Sequence, residues 1–179
     1  MPYYTRSGDQ GRTCALGFGR LGKESLRIEA LGDFDELSSA LGLAASFCSH
    51  KPTRNTLQHL QNDIHTVCAE ISGGNNMPMI REQHLTEIEL AISRIESSIG
   101  EQHSFLIAGG SKEASLIHHA RAVCRRAERS LVRLSKDSTV RQELLTYANR
   151  LSSLLYVLAR LQNKVNRIEE LVPKYRYQE

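Results

Sequence analysis

The stretch Ser111-Lys112-Glu113-Ala114-Ser115-Leu116-Ile117-His118-His119-Ala120-Arg121-Ala122-Val123-Cys124-Arg125-Arg126-Ala127-Glu128-Arg129-Ser130-Leu131-Val132-Arg133-Leu134 decides the fold. Leu116, Ala120, Val123, Ala127, Leu131 and Leu134 recur at steps of three and four, so one face of a helix is apolar and the rest is charged. Ser111, after the Gly109-Gly110 break, is the natural N-cap. Four other segments repeat the pattern. Leu31, Phe34, Leu37, Leu41, Ala45 and Cys48 mark a helix over about 29–48, and Leu57, Leu60, Ile64, Val67, Cys68 and Ile71 mark a second from about Thr53. Gly73-Gly74-Asn75-Asn76 stops the second. Leu85, Ile88, Ile92, Ile95 and Ile99 mark a third, ended by Gly100. Leu144, Tyr147, Leu151, Leu154, Leu158, Leu161 and Val165 mark a fifth over about 140–167. No segment alternates at period two for long. Five amphipathic helices bury their stripes most simply in an all-α, antiparallel five-helix bundle with the up-down order of ferritin-like proteins.

The rest of the chain fits one domain, residues 1–167, with a tail. Residues 1–28 lack a helical period and hold five of the twelve glycines, which predicts a long polar loop. The tail, 168–179, is charged, contains Pro173 and is expected to be loosely held. With 179 residues, 40% hydrophobic and 24% charged, the composition excludes a disordered chain and a disulfide miniprotein. No apolar run is long enough for a membrane span, and Met1-Pro2-Tyr3-Tyr4-Thr5-Arg6 has no signal core. A cytoplasmic protein is the expectation. The four cysteines show no paired spacing and read as free thiols, mostly buried. The net charge of +3 is too mild to argue for nucleic acid, but 17 of the 23 basic residues are Arg, the side chain suited to forked capture of phosphate or carboxylate.

Two literal motifs are decoys. Gly17-Phe18-Gly19-Arg20-Leu21-Gly22 satisfies G-x-G-x-x-G, and Gly17 to Lys23 satisfies the start of a P-loop. Both need a buried strand before and a helix after, and Glu24 stands where a P-loop needs Ser or Thr. A di-metal site of the helical-bundle type needs Glu-x-x-His, and none of the seven histidines has a Glu three residues before it.

Three features point to an anionic ligand. Thr5-Arg6-Ser7-Gly8-Asp9-Gln10-Gly11-Arg12-Thr13 is dense in donors and flexible backbone, read either as an anion nest or as a solvated tail. Between Ser111 and Lys136 seven basic residues face two acidic ones, with Arg121, Arg125 and Arg129 at four-residue steps. This is either a solvated basic face or an anion site, and Asp33, Asp35 and Glu36 on the first helix offer partners, Asp35 being the one singled out. Ser104-Phe105-Leu106-Ile107-Ala108-Gly109-Gly110 leads into this helix, with Phe105 either a core plug or a pocket wall. Asn149 falls near the buried edge of the fifth helix, where an amide needs partners.

Taken in order, Tyr4-Thr5-Arg6-Ser7-Gly8-Asp9-Gln10-Gly11, Lys23, Arg27-Ile28-Glu29-Ala30, Asp35-Glu36-Leu37-Ser38-Ser39, Ser104-Phe105, Gly109-Gly110-Ser111, Arg121 to Arg129 and Asn149-Arg150-Leu151-Ser152 resemble the PduO-type ATP:cob(I)alamin adenosyltransferases over about residues 3–163. The resemblance implies a homotrimer with ATP between subunits, and transfer of the 5′-deoxyadenosyl group of ATP to cob(I)alamin with release of triphosphate. It implies that Thr5, Arg6, Ser7, Gly8, Thr13 and Lys23 wrap the nucleotide, which arrives with Mg²⁺. Arg125, Arg126, Glu128, Arg129 and Asn149 then complete the ATP site. Arg125 and Phe105 are the implied catalytic residues, Asp35 and Arg121 an intersubunit salt bridge, and Phe105 is also the wall on the corrinoid side that keeps a lower ligand off the cobalt. No metal ligand from the protein is implied, and the implied partners are a reductase and a downstream adenosylcobalamin-dependent enzyme, with neither nucleic acid nor membrane. The chain departs from the family pattern at Ala108, where Pro is usual, at Ser153, where Asp is usual, and at Leu31, where Tyr is frequent. These departures motivate an alternative, a carrier or sensor of ATP or adenosylcobalamin with little transfer activity.

Overall fold

The computed structural model describes residues 3–174; the end of the tail, residues 175–179, lies outside them. Five helices follow a short hairpin: β1 (Arg12–Ala15), β2 (Gly19–Gly22), α1 (Leu26–Phe47), α2 (Lys51–Ser72), α3 (Glu82–Ile99), α4 (Lys112–Asp137) and α5 (Gln142–Val165). The caps are those the sequence indicates. Ser111 accepts a hydrogen bond from Ala114 N, and Gly73 ends α2 at φ +72°, a conformation costly for any residue with a β-carbon.

Helix α1 packs on α2 and α4, α4 on α5, and α5 on α3. Cross-helix bonds give the directions. Gln61 donates to Ser38 O and Arg27 to Ile71 O, so α1 and α2 run antiparallel. Arg133 meets Glu29 while Arg126 meets Glu36, so α1 and α4 do too. Asn149 meets Glu128 while Asn166 meets Glu113, which sets α5 against α4. Between α3 and α5 the pairs ascend together, Glu89 with Arg150 and Ser98 with Lys164. These two neighbours are parallel, the one departure from an antiparallel set. The apolar stripes meet in one core around Phe34, Leu37, Leu41, Leu57, Ile64, Ile117, Leu131, Leu151 and Leu154, all essentially sealed from water. Each such side chain contributes roughly 1.5–3 kcal/mol on burial, which outweighs the modest helix propensity of its segment.

The expectation of a structureless segment over residues 1–28 is corrected. Arg12 pairs with Gly22, and Ala15 with Gly19, in an antiparallel ladder. Strands of four residues are marginal alone. This hairpin persists because its tip docks on the end of α2, where Gly17 N donates to Ser72 O at 2.9 Å. A β-carbon at Gly17 would stand 1.8 Å from Gly73 O, so only glycine permits that approach. Phe18 packs on Gly73 and carries the Arg27 guanidinium 3.7 Å above its ring. At the other end of the chain, the segment before Pro173 is tied down. Arg160 pairs with Glu170 at 3.0 Å, and Ile107 N donates to Leu171 O at 2.8 Å.

Candidate active site

The hairpin organises the first cluster. Lys23 N donates to Gly11 O at 2.8 Å, which folds the end of β2 back over the Thr5–Gly11 turn. As a result the Lys23 ammonium lies over Gly8, 3.3 Å from where a β-carbon there would be. Within the turn the Thr5 and Ser7 hydroxyls are 2.7 Å apart, and Arg6 adopts φ +59°, a left-handed backbone uncommon for a long side chain. Arg20 reaches Ser7 O, and Arg12 reaches Arg20 O at 2.7 Å. Lys23 and Arg20 therefore reach onto a glycine turn that itself carries Arg6 and Asp9, Arg12 braces Arg20, and Thr13 sits beside it on β1, opposite Leu21. Such a set of donors suits an anion that replaces the water around it.

Helix α4 presents its arginines in two ways. Arg126 donates to Asp33 at 3.2 Å and also to Glu36, and Ser130 donates to Asp33. Those carboxylates hold the Arg126 guanidinium above its ordinary range. Arg133 pairs with Glu29. Arg125 and Arg129, by contrast, are exposed and make no ion pair among the described residues. The intrachain partners of the basic helix are thus Asp33, Glu36 and Glu29. Asp35, the residue singled out from the sequence, is exposed and makes no ion pair among the described residues. The charge pattern alone did not distinguish positions 33, 35 and 36, because all three lie off the apolar stripe.

Asn149 is exposed rather than at the buried edge. It donates to Glu128 at 2.8 Å and accepts from Arg150 at 3.0 Å, so Glu128, Asn149 and Arg150 form a polar chain on the α4–α5 seam. Arg125 and Arg121 line a cleft of about 270 Å³ beside this seam, with Ser153 and Tyr156 on its α5 wall. No hydrogen bond or ion pair among the described residues joins this second cluster to the Thr5–Lys23 cluster.

Tyr156 links this cleft to two others. One, of about 580 Å³, lies between the end of α3 and α5. The other, of about 310 Å³, lies beside Phe105 and is lined by Gln102, Leu106, Ala108, His118 and Arg121. Phe105 itself is 82% exposed, so it is no core plug. Arg121 stands over the Tyr156 ring at 5.3 Å, and the Tyr156 hydroxyl donates to Gln102 at 2.8 Å. The Phe105 loop is fastened by a residue the sequence reading passed over. Buried Asn163 accepts from Ser111 N and donates to Gly109 O, both at 2.9 Å. No signal in the sequence marks it, because Leu158–Val165 also carries Arg160, Gln162 and Lys164.

Comparisons with known proteins give the chain its family. The family model described as cobalamin adenosyltransferase matches residues 3–162. The corrinoid adenosyltransferase PduO of Salmonella typhimurium is 36% identical over 184 residues, covering 98% of this chain and 55% of that protein. The chain thus spans about half the length of the PduO relatives it matches. The corrinoid adenosyltransferase of Bacillus subtilis is 37% identical over 172 residues, covering 91% of this chain and 87% of that protein. A solved variant of the PduO-type ATP:corrinoid adenosyltransferase from Lactobacillus reuteri, complexed with cobalamin and ATP, superimposes with a TM-score of 0.91. It is 27% identical and covers 98% of this chain and 100% of that chain. With the family model spanning nearly the whole helical set, the chain belongs to the cobalamin adenosyltransferase family.

Proposed function

We propose that this protein transfers the 5′-deoxyadenosyl group of ATP to cob(I)alamin. Cobalt(I) supplies the electron pair for the new cobalt–carbon bond. The bond from C5′ to the phosphate oxygen breaks, triphosphate leaves with the electron pair of that C–O bond, and the cobalt ends formally as cobalt(III). The nucleophile is already reduced, so no general base is required. What the protein supplies is in-line placement and stabilisation of the charge that grows on the leaving group.

The observation that carries this reading is the division of the basic residues. Arg126 and Arg133 are matched by carboxylates of α1, while Arg125 and Arg129 are left open to an anion, and Lys23 lies over the glycine turn far from them along the chain. Two half-sites on one chain with no contact between them suit a homotrimer of ferritin-like, up-down bundles. Thr5, Arg6, Ser7, Gly8, Thr13 and Lys23 of one subunit would then grip the nucleotide from one side, and Arg125, Arg129, Asn149 and Glu128 of the next from the other. Arg126 acts there by keeping α1 and α4 in register. The exposed Asp35 carboxylate would pair across the same junction with Arg121. Mg²⁺ would come with the nucleotide and help to neutralise the triphosphate. No helix of the described residues is long and apolar enough to cross a membrane, which fits the cytoplasmic site where ATP, a reductase and an adenosylcobalamin-dependent enzyme would meet it.

Ser153, on the wall of the Arg121–Arg125 cleft, and Ala108, in the cleft beside Phe105, favour the second reading, a carrier or sensor with little transfer. The corrinoid absorption spectrum separates the two. Adding ATP to enzyme and chemically reduced cobalamin converts the spectrum to that of adenosylcobalamin if transfer occurs, and an identical trace with ATP omitted would rule it out.

A further inference from the structure

The cleft beside Phe105 contains a side chain that none of these roles uses. His118 lies one turn before Arg121 on α4 and is 8% exposed, yet it lines the cleft with Phe105, Leu106 and Tyr156. Its Nδ1 is sealed and has no hydrogen-bond partner, whereas Nε2 is not among the sealed atoms. Among the described residues no side chain bonds the ring: the nearby Glu170 is paired with Arg160. Tyr156, 6.0 Å away between ring centres, has its hydroxyl committed to Gln102. A buried N–H without an acceptor is tolerated less well than a bare lone pair, so the proton belongs on Nε2. Burial, then the nearby Arg121, hold the imidazole below its ordinary range, with Glu170 opposing, so the ring is neutral and offers one donor.

We propose that His118 is a binding residue of the corrinoid cleft, donating from Nε2–H to a carboxamide carbonyl on the rim of the macrocycle. The corrin periphery is studded with acetamide and propionamide groups, and a neutral donor set among Phe105, Leu106 and Ala108 on one side and Gln102, Arg121 and Tyr156 on the other orients such a group without competing for the cobalt. The proposal rests on the corrinoid reading above and deepens it.

Equilibrium dialysis against adenosylcobalamin, with wild type, His118→Phe and His118→Gln, tests it. Gln places an amide N–H close to the position of Nε2. His118→Phe is expected to weaken binding about tenfold, the worth of one hydrogen bond, while His118→Gln stays within about twofold of wild type. In turnover the Phe variant should show a raised KM for cob(I)alamin, with kcat and the KM for ATP unchanged. Equal binding by wild type and His118→Phe, or failure of Gln to restore it, overturns the assignment. If the Phe variant does not fold, the ¹⁵N spectrum of the wild-type ring decides. An Nε2–H tautomer whose proton resonance moves on adding adenosylcobalamin is expected, and an Nδ1–H tautomer, or no movement at saturation, contradicts it. Wild type that binds adenosylcobalamin but forms none from ATP and cob(I)alamin removes the transfer reading while leaving this test intact. Wild type that binds none removes both.

Discussion

The carboxamide of Asn163 lies directly against Gly110, whose backbone sits at φ +106° and where a β-carbon would stand 2.2 Å from Asn163 Oδ1. The same carboxamide bonds the residues on both sides, Gly109 and Ser111. One buried amide thus fixes the end of the Phe105 loop and the first turn of α4, coupling that loop to the arginine helix. Gly110→Ala should lose about 1–3 kcal/mol of stability, from strain and the displaced amide. Asn163→Ala should lose about 2 kcal/mol, because a buried N–H and a carbonyl lose their partner. Urea denaturation checks both, and wild-type stability in either variant would show that the clamp carries no energy.

Arg125→Ala should reduce turnover about 10²- to 10³-fold, the usual loss when one charge-stabilising donor is removed from a transition state. Its guanidinium makes no ion pair among the described residues, so the urea midpoint should hardly move. Arg126→Ala should behave differently. Its bonds to Asp33 and Glu36 are partly exposed and worth at most about 1 kcal/mol, so stability falls slightly and turnover falls less than in Arg125→Ala. Equal activity losses in the two variants would contradict the division between paired and open arginines.

Phe105→Ala removes a ring that is already in water, so no loss of stability is expected. Its effect should appear when the assay starts from Co(II) and a reductant, because an apolar wall that keeps a lower ligand away eases reduction. With Co(I) generated chemically beforehand, the rate should be close to wild type. A similar loss in both assays would assign Phe105 to substrate positioning instead.

These expectations show how unevenly the molecule is written in its sequence. The helices are legible because each carries a stripe such as Leu57, Leu60, Ile64, Val67 and Ile71, and burial of that stripe outweighs everything local. The hairpin is not, because its four-residue strands are held by docking at Gly17 and Phe18, a tertiary contact with no periodic signal. Among the site residues, the density of donors around Gly8 and the basic character of α4 are plain. Which arginines are neutralised is not, since Asp33, Asp35 and Glu36 are equivalent as letters and differ only by the rotation of α1 against α4. Asn163 and His118 were missed because each sits at an ordinary helical position, and only the partners opposite, or their absence, mark them out.

The thiols give a pH test. Burial pushes Cys124 up to about 12 and Cys68 up to about 11. The folded protein keeps these protons after the unfolded chain has lost them. Stability therefore falls as pH rises from the ordinary thiol range toward those values, by up to about 1.4 kcal/mol per pH unit for each group. The stability difference between wild type and Cys124→Ala should accordingly shrink between about pH 9 and pH 11. A constant difference would place Cys124 in contact with water. Near neutral pH, exposed Cys14 should react fastest with a thiol reagent, with Cys48 and Cys124 protected until unfolding.

The sharing of one nucleotide by two subunits is tested most directly by mixing two inactive variants. Lys23→Ala and Arg125→Ala are co-expressed, and the mixed oligomer is assayed for adenosylcobalamin formation. If each site takes Lys23 from one subunit and Arg125 from its neighbour, random assortment leaves roughly a quarter of the junctions intact, and a similar fraction of wild-type activity should return. If both residues serve the same site from one chain, every site carries a defect, and activity no higher than that of the separate variants would contradict the shared site.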